Sequence, residues 1–239
     1  MTLVLIMGSG PNVIACRDWQ RDPFDQIVAI NNAWQVRADW DFLIHPDDFP
    51  NDRKPAAITA QQKVVTAADY VPLQNSRGGF VYAGGTMAFT AAYWALAALK
   101  PKVMAFIGCD MVYPAQSNTH FYGSGTADPL RNDVTLRSLE AKSARFMVMA
   151  AYDGCAVVNL SDQHSRLVYP RATPTALTHC APATYDSATM AAALNEERRL
   201  NYYVPSGKYW KEESRFDPAA IDALDALWLT AARGPQTTP

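Results

Sequence analysis

The sequence is poor in paired cysteines. Its four cysteines, Cys16, Cys109, Cys155 and Cys180, lie far apart, and no two of them form a C-x-x-C motif. This spacing excludes a zinc ribbon and a thioredoxin-type redox motif. We expect reduced thiols that serve mainly as packing residues, and we expect neither a resident metal ion nor a cofactor.

A strong excess of charge of one sign is also missing. The chain carries 21 basic and 23 acidic residues, which gives a formal net charge of −2 and a pI of about 6.1. Proteins that bind duplex nucleic acid need a basic face that neutralises phosphates. The composition therefore predicts no nucleic-acid partner, although it allows a small basic cluster around a substrate.

Long apolar runs free of charge are absent as well. No such stretch is long enough to span a bilayer, so we expect no membrane span. The first residues also lack the basic region and the small-residue cleavage site of a secretory leader. These absences predict a soluble, cytoplasmic protein.

What the chain does have is an apolar run, Leu3–Met7, that ends abruptly in Gly8-Ser9-Gly10-Pro11. A run that is apolar on both faces is typical of a central strand in a parallel sheet. Pro11 suits the first turn of a following helix. The glycine turn then lies where open α/β sheets bind nucleotides, although an ordinary tight turn would use the same residues. The third glycine of the dinucleotide fingerprint and the Lys-Ser/Thr of a P-loop are both absent.

Similar units recur along the 239 residues. Further strands are predicted at 26–30, 40–44, 63–67, 103–107 and 156–160, and helices at 86–99 and from Asp133 to about Tyr152. This alternation predicts an α/β fold with a Rossmann-like, doubly wound, mainly parallel sheet. We assign residues 1–170 to this domain. A proline-marked connector follows, and residues 171–239 form a helical extension with helices near 186–203 and 217–232.

Turn-forming and polar residues follow most of these strands. In a parallel sheet they converge on one rim, and they include Ser9, Gly10, Asn32, His45, Gly84 and Gly85. Glycine backbone N–H groups suit phosphate oxygens, and asparagine amides suit a base or a ribose. Each residue taken alone is also explained by local turn chemistry.

Residues 111–132 interrupt the alternation with small and turn-forming residues around aromatic ones. A loop of this length is typically a lid or a binding loop. His120 is the candidate general base or acid, because histidine titrates nearest neutrality. Tyr113 and Tyr122 offer phenolic donors to a leaving phosphate. A purely structural hydrogen bond is the alternative role for His120.

A moderately basic stretch near the C-terminus mixes cations such as Lys208 and Lys211 with the aromatic residues Tyr209 and Trp210. A solvated face with packing aromatics explains it. A surface that binds an acceptor or a partner is the alternative.

The order of these motifs resembles that of the small bacterial sialyltransferases and the wider sialyltransferase-like superfamily, which includes motility-associated glycosyltransferases and a pterin diphosphokinase branch. The similarity covers about residues 3–169. Its motifs are Gly8-Ser9-Gly10-Pro11, Asn31-Asn32, His45-Pro46, Gly84-Gly85-Thr86, Gly108-Cys109-Asp110 and His120-Phe121-Tyr122-Gly123.

The resemblance implies a pocket for a CMP-sugar. In that family the same points hold the nucleotide-sugar, and lid tyrosines hydrogen-bond the departing phosphate. Here the corresponding lining residues are Ser9, Gly10, Asn32, His45, Gly84 and Gly85, with Tyr113 or Tyr122 near the phosphate.

The lid departs from the family pattern at two positions. Ser124 stands where the family has its general-base histidine, and a serine hydroxyl is not a base near neutral pH without activation. We count Ser124 among the substrate-binding residues. Val112 occupies the usual place of the lid tyrosine, and Tyr113 follows it. Either His120 replaces the missing base, or the chain does not perform the transfer.

The expected function is a sialyltransferase-like glycosyl transfer from a nucleotide-activated sugar, such as a CMP-linked one, by direct displacement. The expected partners are this donor and an acceptor that the sequence does not identify, and a homo-oligomer is left open. One alternative is a magnesium-dependent phosphotransferase or diphosphokinase, with Asp47, Asp48 and Asp110 as metal ligands. The other is a nucleotide-binding module without catalysis.

Overall fold

The computed structural model describes residues 2–113, 118–123 and 131–234. Its centre is a six-stranded, wholly parallel sheet. The strands are β1 (Leu3–Met7), β2 (Gln26–Ile30), β3 (Phe42–Ile44), β4 (Lys63–Val65), β5 (Val103–Ile107) and β6 (Ala156–Asn159). The predicted α/β, doubly wound parallel sheet is confirmed, and the third, fourth and last strands are shorter than the sequence predicts.

The strand order is β4-β3-β2-β1-β5-β6. The chain therefore builds outward from β1 to β4 and then returns to the other side of β1. Met7 pairs with Ile107, so β1 and β5 end side by side. In open parallel sheets, the crevice outside the strand ends at such a reversal is where ligands bind.

Six α-helices accompany the sheet in the described part of the chain. They are α1 (Ala67–Asn75), α2 (Phe80–Ala83), α3 (Met87–Leu99), α4 (Leu139–Tyr152), α5 (Ser187–Leu200) and α6 (Pro218–Ala231). The sequence predicts neither α1 nor α2. The helix predicted from Asp133 is a short 3-10 turn, Val134–Leu136, followed by α4, because Asp133 and Ser138 each cap a separate start.

The two faces of the sheet are covered differently. Val4, Ile6 and Phe106 point to one face and pack with residues of α1, α3 and α4. Leu5 and Met7 point to the other face, which is covered by the short 3-10 helices Pro11–Cys16, Asn31–Gln35 and Pro174–His179. Both faces are apolar, which explains why the strands are continuous hydrophobic runs.

Two buried ion pairs join the C-terminal helices to α4. The Nζ of Lys142 lies 2.7 Å from an Asp225 oxygen of α6. The guanidinium of Arg145 binds both oxygens of Glu197 in α5, at 2.7 and 2.9 Å. Buried charges need such partners, so these contacts fix α5 and α6 on the domain.

No helix within the described ranges has the length and apolar character needed to cross a membrane.

Candidate functional site

A cavity of about 860 Å³ opens at the carboxyl end of the sheet, over the reversal between β1 and β5. Such a volume is typical of sites that take a small molecule or a cofactor. Seven of the residues predicted from the sequence line it: Ser9, Gly10, Asn32, Gly85, Tyr113, His120 and Tyr122.

The glycine turn forms the floor of this cavity. The N–H groups of Gly8 and Gly10 donate to the carbonyl oxygens of Ile107 and Gly108, each at 2.8 Å. A Cβ on Gly8 would lie 2.3 Å from the Gly108 oxygen, and one on Gly10 would lie 2.8 Å from it. The close approach of two turns thus requires these glycines. The sequence predicts that these two N–H groups face a phosphate, but they are bonded to the last residue of β5 and to the residue after it.

Two residues at strand ends have left-handed backbone. Asn31 after β2 has a φ of 52° and Met111 after β5 has a φ of 53°, and both line the cavity. Positive φ is uncommon outside glycine, and such residues cluster at functional sites. Asn31 is among the residue types that tolerate it, whereas Met111 is not.

His45 and Gly84 are not among the described residues that line the cavity. The ring of His45 is buried against Phe49, and its Nδ1 lies 2.8 Å from the carbonyl oxygen of Pro46. Gly84, with a φ of 92°, is wedged between Phe89 and Lys142, where a Cβ would come within 2.8 and 3.0 Å of their side chains. Both residues support the wall from behind.

Within the lid, His120 and Gly123 close a turn with two hydrogen bonds, at 3.0 and 3.1 Å. The N–H of Phe121 donates to the carbonyl of Ser9 at 3.0 Å, which ties this turn to the glycine floor. The ring of Tyr122 stacks on His120 with centroids 5.0 Å apart, and Tyr113 lies 6.2 Å away. Ser124 and the other lid residues of 114–117 and 124–130 lie outside the described residues.

The three aspartates that the sequence offers as metal ligands do not all lie at the cavity. Asp47 and Asp48 line the cavity, but Asp110 does not. The carboxylate of Asp110 accepts hydrogen bonds from the amides of Asn12 at 2.6 Å and Asn159 at 2.9 Å, so it braces the β1, β5 and β6 turns. Within the described ranges no three His, Cys, Asp or Glu side chains group as metal ligands would.

Helix α3 starts at the cavity. Its N-cap Thr86 accepts a hydrogen bond from the N–H of Phe89 at 3.3 Å, and Met87 and Ala88 also line the cavity. The first turn of a helix carries a partial positive charge, so this wall favours an anion.

A further wall comes from the C-terminal segment, where the sequence favours a solvated face and leaves a binding surface as the alternative. Ser206, Gly207, Lys208, Tyr209, Trp210 and Glu213 all line the cavity. The cluster of aromatic and basic residues in the sequence is the signal for the binding alternative.

The hydroxyl of Tyr209 links this wall to the start of α3. It donates to Asp133 at 2.7 Å and accepts from Arg131 at 2.9 Å. Arg131 also donates to the carbonyl of Gly85, and the N–H of Gly85 donates to Thr135, each at 2.9 Å. A Cβ on Gly85 would lie 2.1 Å from the Tyr209 hydroxyl, so glycine is needed there.

The charges of this cluster are well defined. Burial alone would raise the pKa of Asp133, but hydrogen bonds from Tyr209, Thr135 and Arg131 outweigh it and hold the pKa below its usual range. Burial raises the pKa of Tyr209 to about 12. Near neutral pH, Asp133 is therefore an anion and Tyr209 keeps its proton as the donor.

Comparisons of the chain with protein-family models, with curated proteins and with solved structures find no match.

Proposed function

We propose that the cavity binds a nucleotide-activated sugar and that the protein is a sialyltransferase-like glycosyltransferase that transfers the sugar by direct displacement. One observation carries this proposal. Residues from the turns after β1 and β2, from the start of α3 and from the lid line one cavity at the strand reversal, although they are far apart in sequence. The position of the cavity supports a nucleotide in general. The resemblance of the motifs to those of sialyltransferase-like proteins is the reason for choosing a nucleotide-sugar.

The start of α3 and the lid tyrosines suit the phosphate of the donor. The partial charge of the helix terminus at Met87 and Ala88 attracts an anion. Tyr113 and Tyr122 present phenolic groups to the same cavity. These groups would stabilise the charge that develops on the leaving phosphate.

His120 is the proposed base. The Thr119 hydroxyl lies 2.9 Å from its Nδ1, and we assign the acceptor proton to its other ring nitrogen, Nε2. The acceptor hydroxyl oxygen bonds to the anomeric carbon as the bond from that carbon to the phosphate oxygen breaks. The hydroxyl proton goes to Nε2, and the negative charge leaves on the nucleotide phosphate.

A magnesium-dependent phosphotransferase is the second candidate, because Asp47 and Asp48 both line the cavity and carboxylates suit Mg²⁺. Asp110 is engaged with Asn12 and Asn159, which leaves this candidate with two of its three ligands. A nucleotide-binding module without turnover is the third, since the usual base position holds Ser124.

Thermal unfolding with CMP, UDP, GDP and ATP, each with and without Mg²⁺, separates the glycosyltransferase from the phosphotransferase. A ligand that binds only the native state raises the Tm. The glycosyltransferase proposal expects a shift with one of CMP, UDP or GDP that does not need Mg²⁺. A shift seen only with ATP and Mg²⁺ favours the phosphotransferase, and no shift with any nucleotide contradicts all three candidates.

His120→Asn tests the base. We expect donor affinity to stay within a few-fold and turnover to fall by about 100-fold or more, the usual scale for loss of a general base. Parental activity should rise with pH as the imidazole loses the proton that prevents it from acting as a base. His179→Asn changes an exposed histidine away from the cavity and is the matched control. Parental turnover in His120→Asn would exclude this role, and a parent that binds nucleotide but transfers no sugar would favour the binding module.

A further inference from the structure

A second cavity, of about 400 Å³, lies where the ends of α1 and α5 meet α2 and α4. Among the described residues, it shares no lining residue with the cavity at the strand ends. Helix α2 contributes to both, with Phe80 in the first cavity and Tyr82 in the second. The second cavity is therefore a separate candidate site, outside the chemistry proposed above.

Two arginines line the second cavity, Arg77 and Arg198. Each uses one guanidinium nitrogen in a hydrogen bond, Arg77 to Asp153 and Arg198 to Asn195. The Nε and Nη1 atoms of both make no hydrogen bond to any described residue, and Arg198 has no carboxylate partner among them. A guanidinium carries five N–H donors and binds carboxylates and phosphates through pairs of them. The second cavity therefore has unused donors and positive charge.

The Glu197 carboxylate also lines the second cavity, but its charge is balanced. Its Oε1 accepts hydrogen bonds from Arg145 and Trp228 at 2.7 and 2.9 Å, and its Oε2 accepts one from Arg145 at 2.9 Å. The backbone oxygen of Glu197, in the last turn of α5, accepts from the Tyr82 hydroxyl at 2.7 Å and from the Asn201 N–H at 3.0 Å. These oxygens are already bonded, so they do little to repel an anion near the two arginines.

The rest of the second cavity offers apolar surface. Tyr82 and Met149 line it and are buried, Leu194 is half-buried, and Tyr203 is 40% exposed. A methionine side chain is flexible and adapts to ligands of irregular shape. An exposed phenol ring offers a flat face on which an apolar group can pack. The second cavity thus combines charged donors with apolar contact area.

We propose that the second cavity binds a small organic anion, in which a carboxylate or a phosphate ester is joined to an apolar group. The negative group bonds to the unused N–H groups of Arg77 and Arg198. The apolar group packs on Met149, Leu194 and Tyr203. A volume of about 400 Å³ is within the range of small-molecule sites. This inference does not depend on the glycosyl transfer proposed above.

Amide NMR titrations of the full chain test the proposal with four probes. Benzoate and phenyl phosphate carry both parts, benzyl alcohol carries the ring without the charge, and inorganic phosphate carries the charge without the ring. We expect benzoate, phenyl phosphate or both to shift the amide signals of Gly78 and Asn201, with a Kd on the order of 1 mM for so few atoms. Benzyl alcohol and inorganic phosphate should bind about ten-fold more weakly. Binding of only one ring-bearing anion identifies the preferred negative group.

Arg198→Ala removes one of the two cations. We expect the Kd to rise by about three- to ten-fold, the scale of one charged contact near the surface. Arg199→Ala is the matched control, because Arg199 is exposed beside it in α5, pairs with Glu196 and is not among the described residues that line the second cavity. It should bind the probes as the parent does. Both side chains are exposed, so neither replacement opens the core.

The inference is overturned if neither benzoate nor phenyl phosphate shifts the Gly78 and Asn201 amides at about 10 mM, ten times the expected Kd. Equal binding of benzyl alcohol or of inorganic phosphate also overturns it, because the charge or the apolar surface would then have no role. Shifts confined to Gly8–Gly10 would place the ligand in the other cavity. A parental Kd in Arg198→Ala, or an equal loss in Arg199→Ala, contradicts the role given to the arginines.

Discussion

The cavity wall at the strand ends is built largely from backbone, whereas the wall at residues 206–213 is built from side chains. On the first side, Gly8 and Gly10 let two turns touch, and their N–H groups bond to the neighbouring turn. On the second side, the Tyr209 hydroxyl and the rings of Phe80 and Trp210 define the surface. The sheet therefore fixes where a ligand lies, and the C-terminal segment offers the groups that can distinguish one ligand from another.

The largest expected effect comes from breaking a buried ion pair that holds the C-terminal helices, and with them the wall at residues 206–213, named here the side-chain wall. Glu197→Gln leaves the buried Arg145 without its carboxylate and weakens the bond from Trp228. Removing one partner of a buried pair costs about 3–5 kcal/mol, which urea unfolding measures. Asp222→Asn breaks the exposed pair with Arg137 and is the control, for which we expect little change. Equal losses in the two variants would show that burial does not set the strength of these pairs.

A slightly smaller effect is expected from a substitution in the wall at the strand ends around Gly8 and Gly10, named here the backbone wall. Gly8→Ala places a methyl group 2.3 Å from the Gly108 oxygen, so β1 and β5 must move apart. We expect a loss of about 3 kcal/mol in the free energy of unfolding. Gly154→Ala, at a φ of 74° with open space around it, should lose only about 1 kcal/mol from backbone strain. A Gly8→Ala protein as stable as the parent would mean that the turns do not need this contact.

The smallest effect concerns the Tyr209 hydroxyl. Tyr209→Phe keeps the ring but removes the hydrogen bond to the Asp133 carboxylate, which contributes about 1.5 kcal/mol near pH 7. The pKa of Asp133 is lower in the folded protein, so this stability is present above the unfolded pKa and is lost as the pH falls through the folded pKa.

The difference in unfolding free energy between parent and Tyr209→Phe should therefore shrink below about pH 4, the ordinary range of an aspartate. Urea titrations at pH 7 and pH 3 measure it. Tyr152→Phe, whose ring is exposed, controls for loss of a hydroxyl alone. A difference that does not change with pH would mean that the Asp133 charge is not involved.

The backbone wall could be predicted from sequence because its signals are local. Apolar runs define strands, and parallel strands bring their ends together, which placed Ser9, Gly10 and Asn32 at one cavity. Neighbouring motifs do not fix which backbone or side-chain atoms face the cavity, so the sequence predicts His45 and Gly84 in the lining, whereas they lie behind it. The bonding of the Gly8 and Gly10 N–H groups also depends on the β5 turn, far along the chain.

The side-chain wall depends on contacts that no sequence period encodes. Tyr209 meets Asp133 across 76 positions, and Asn75 meets Pro205 across 130. Helix α1 was missed because Pro72 lies within it and its apolar residues form no clear stripe. Its start did carry a local signal, the capping box of Thr66 and Asp69.

The buried cations of α4 affect the order in which the chain can fold. Lys142 and Arg145 are made long before their respective partners Asp225 and Glu197, so a nascent chain that ends near residue 170 holds two cations on α4 without their carboxylates and without the helices that bury them. That side of α4 is complete only once α5 and α6 are in place. We therefore expect residues 1–170 and the C-terminal helices to fold as one cooperative unit. Optical probes on the sheet and on Trp228 of α6 should report the same transition.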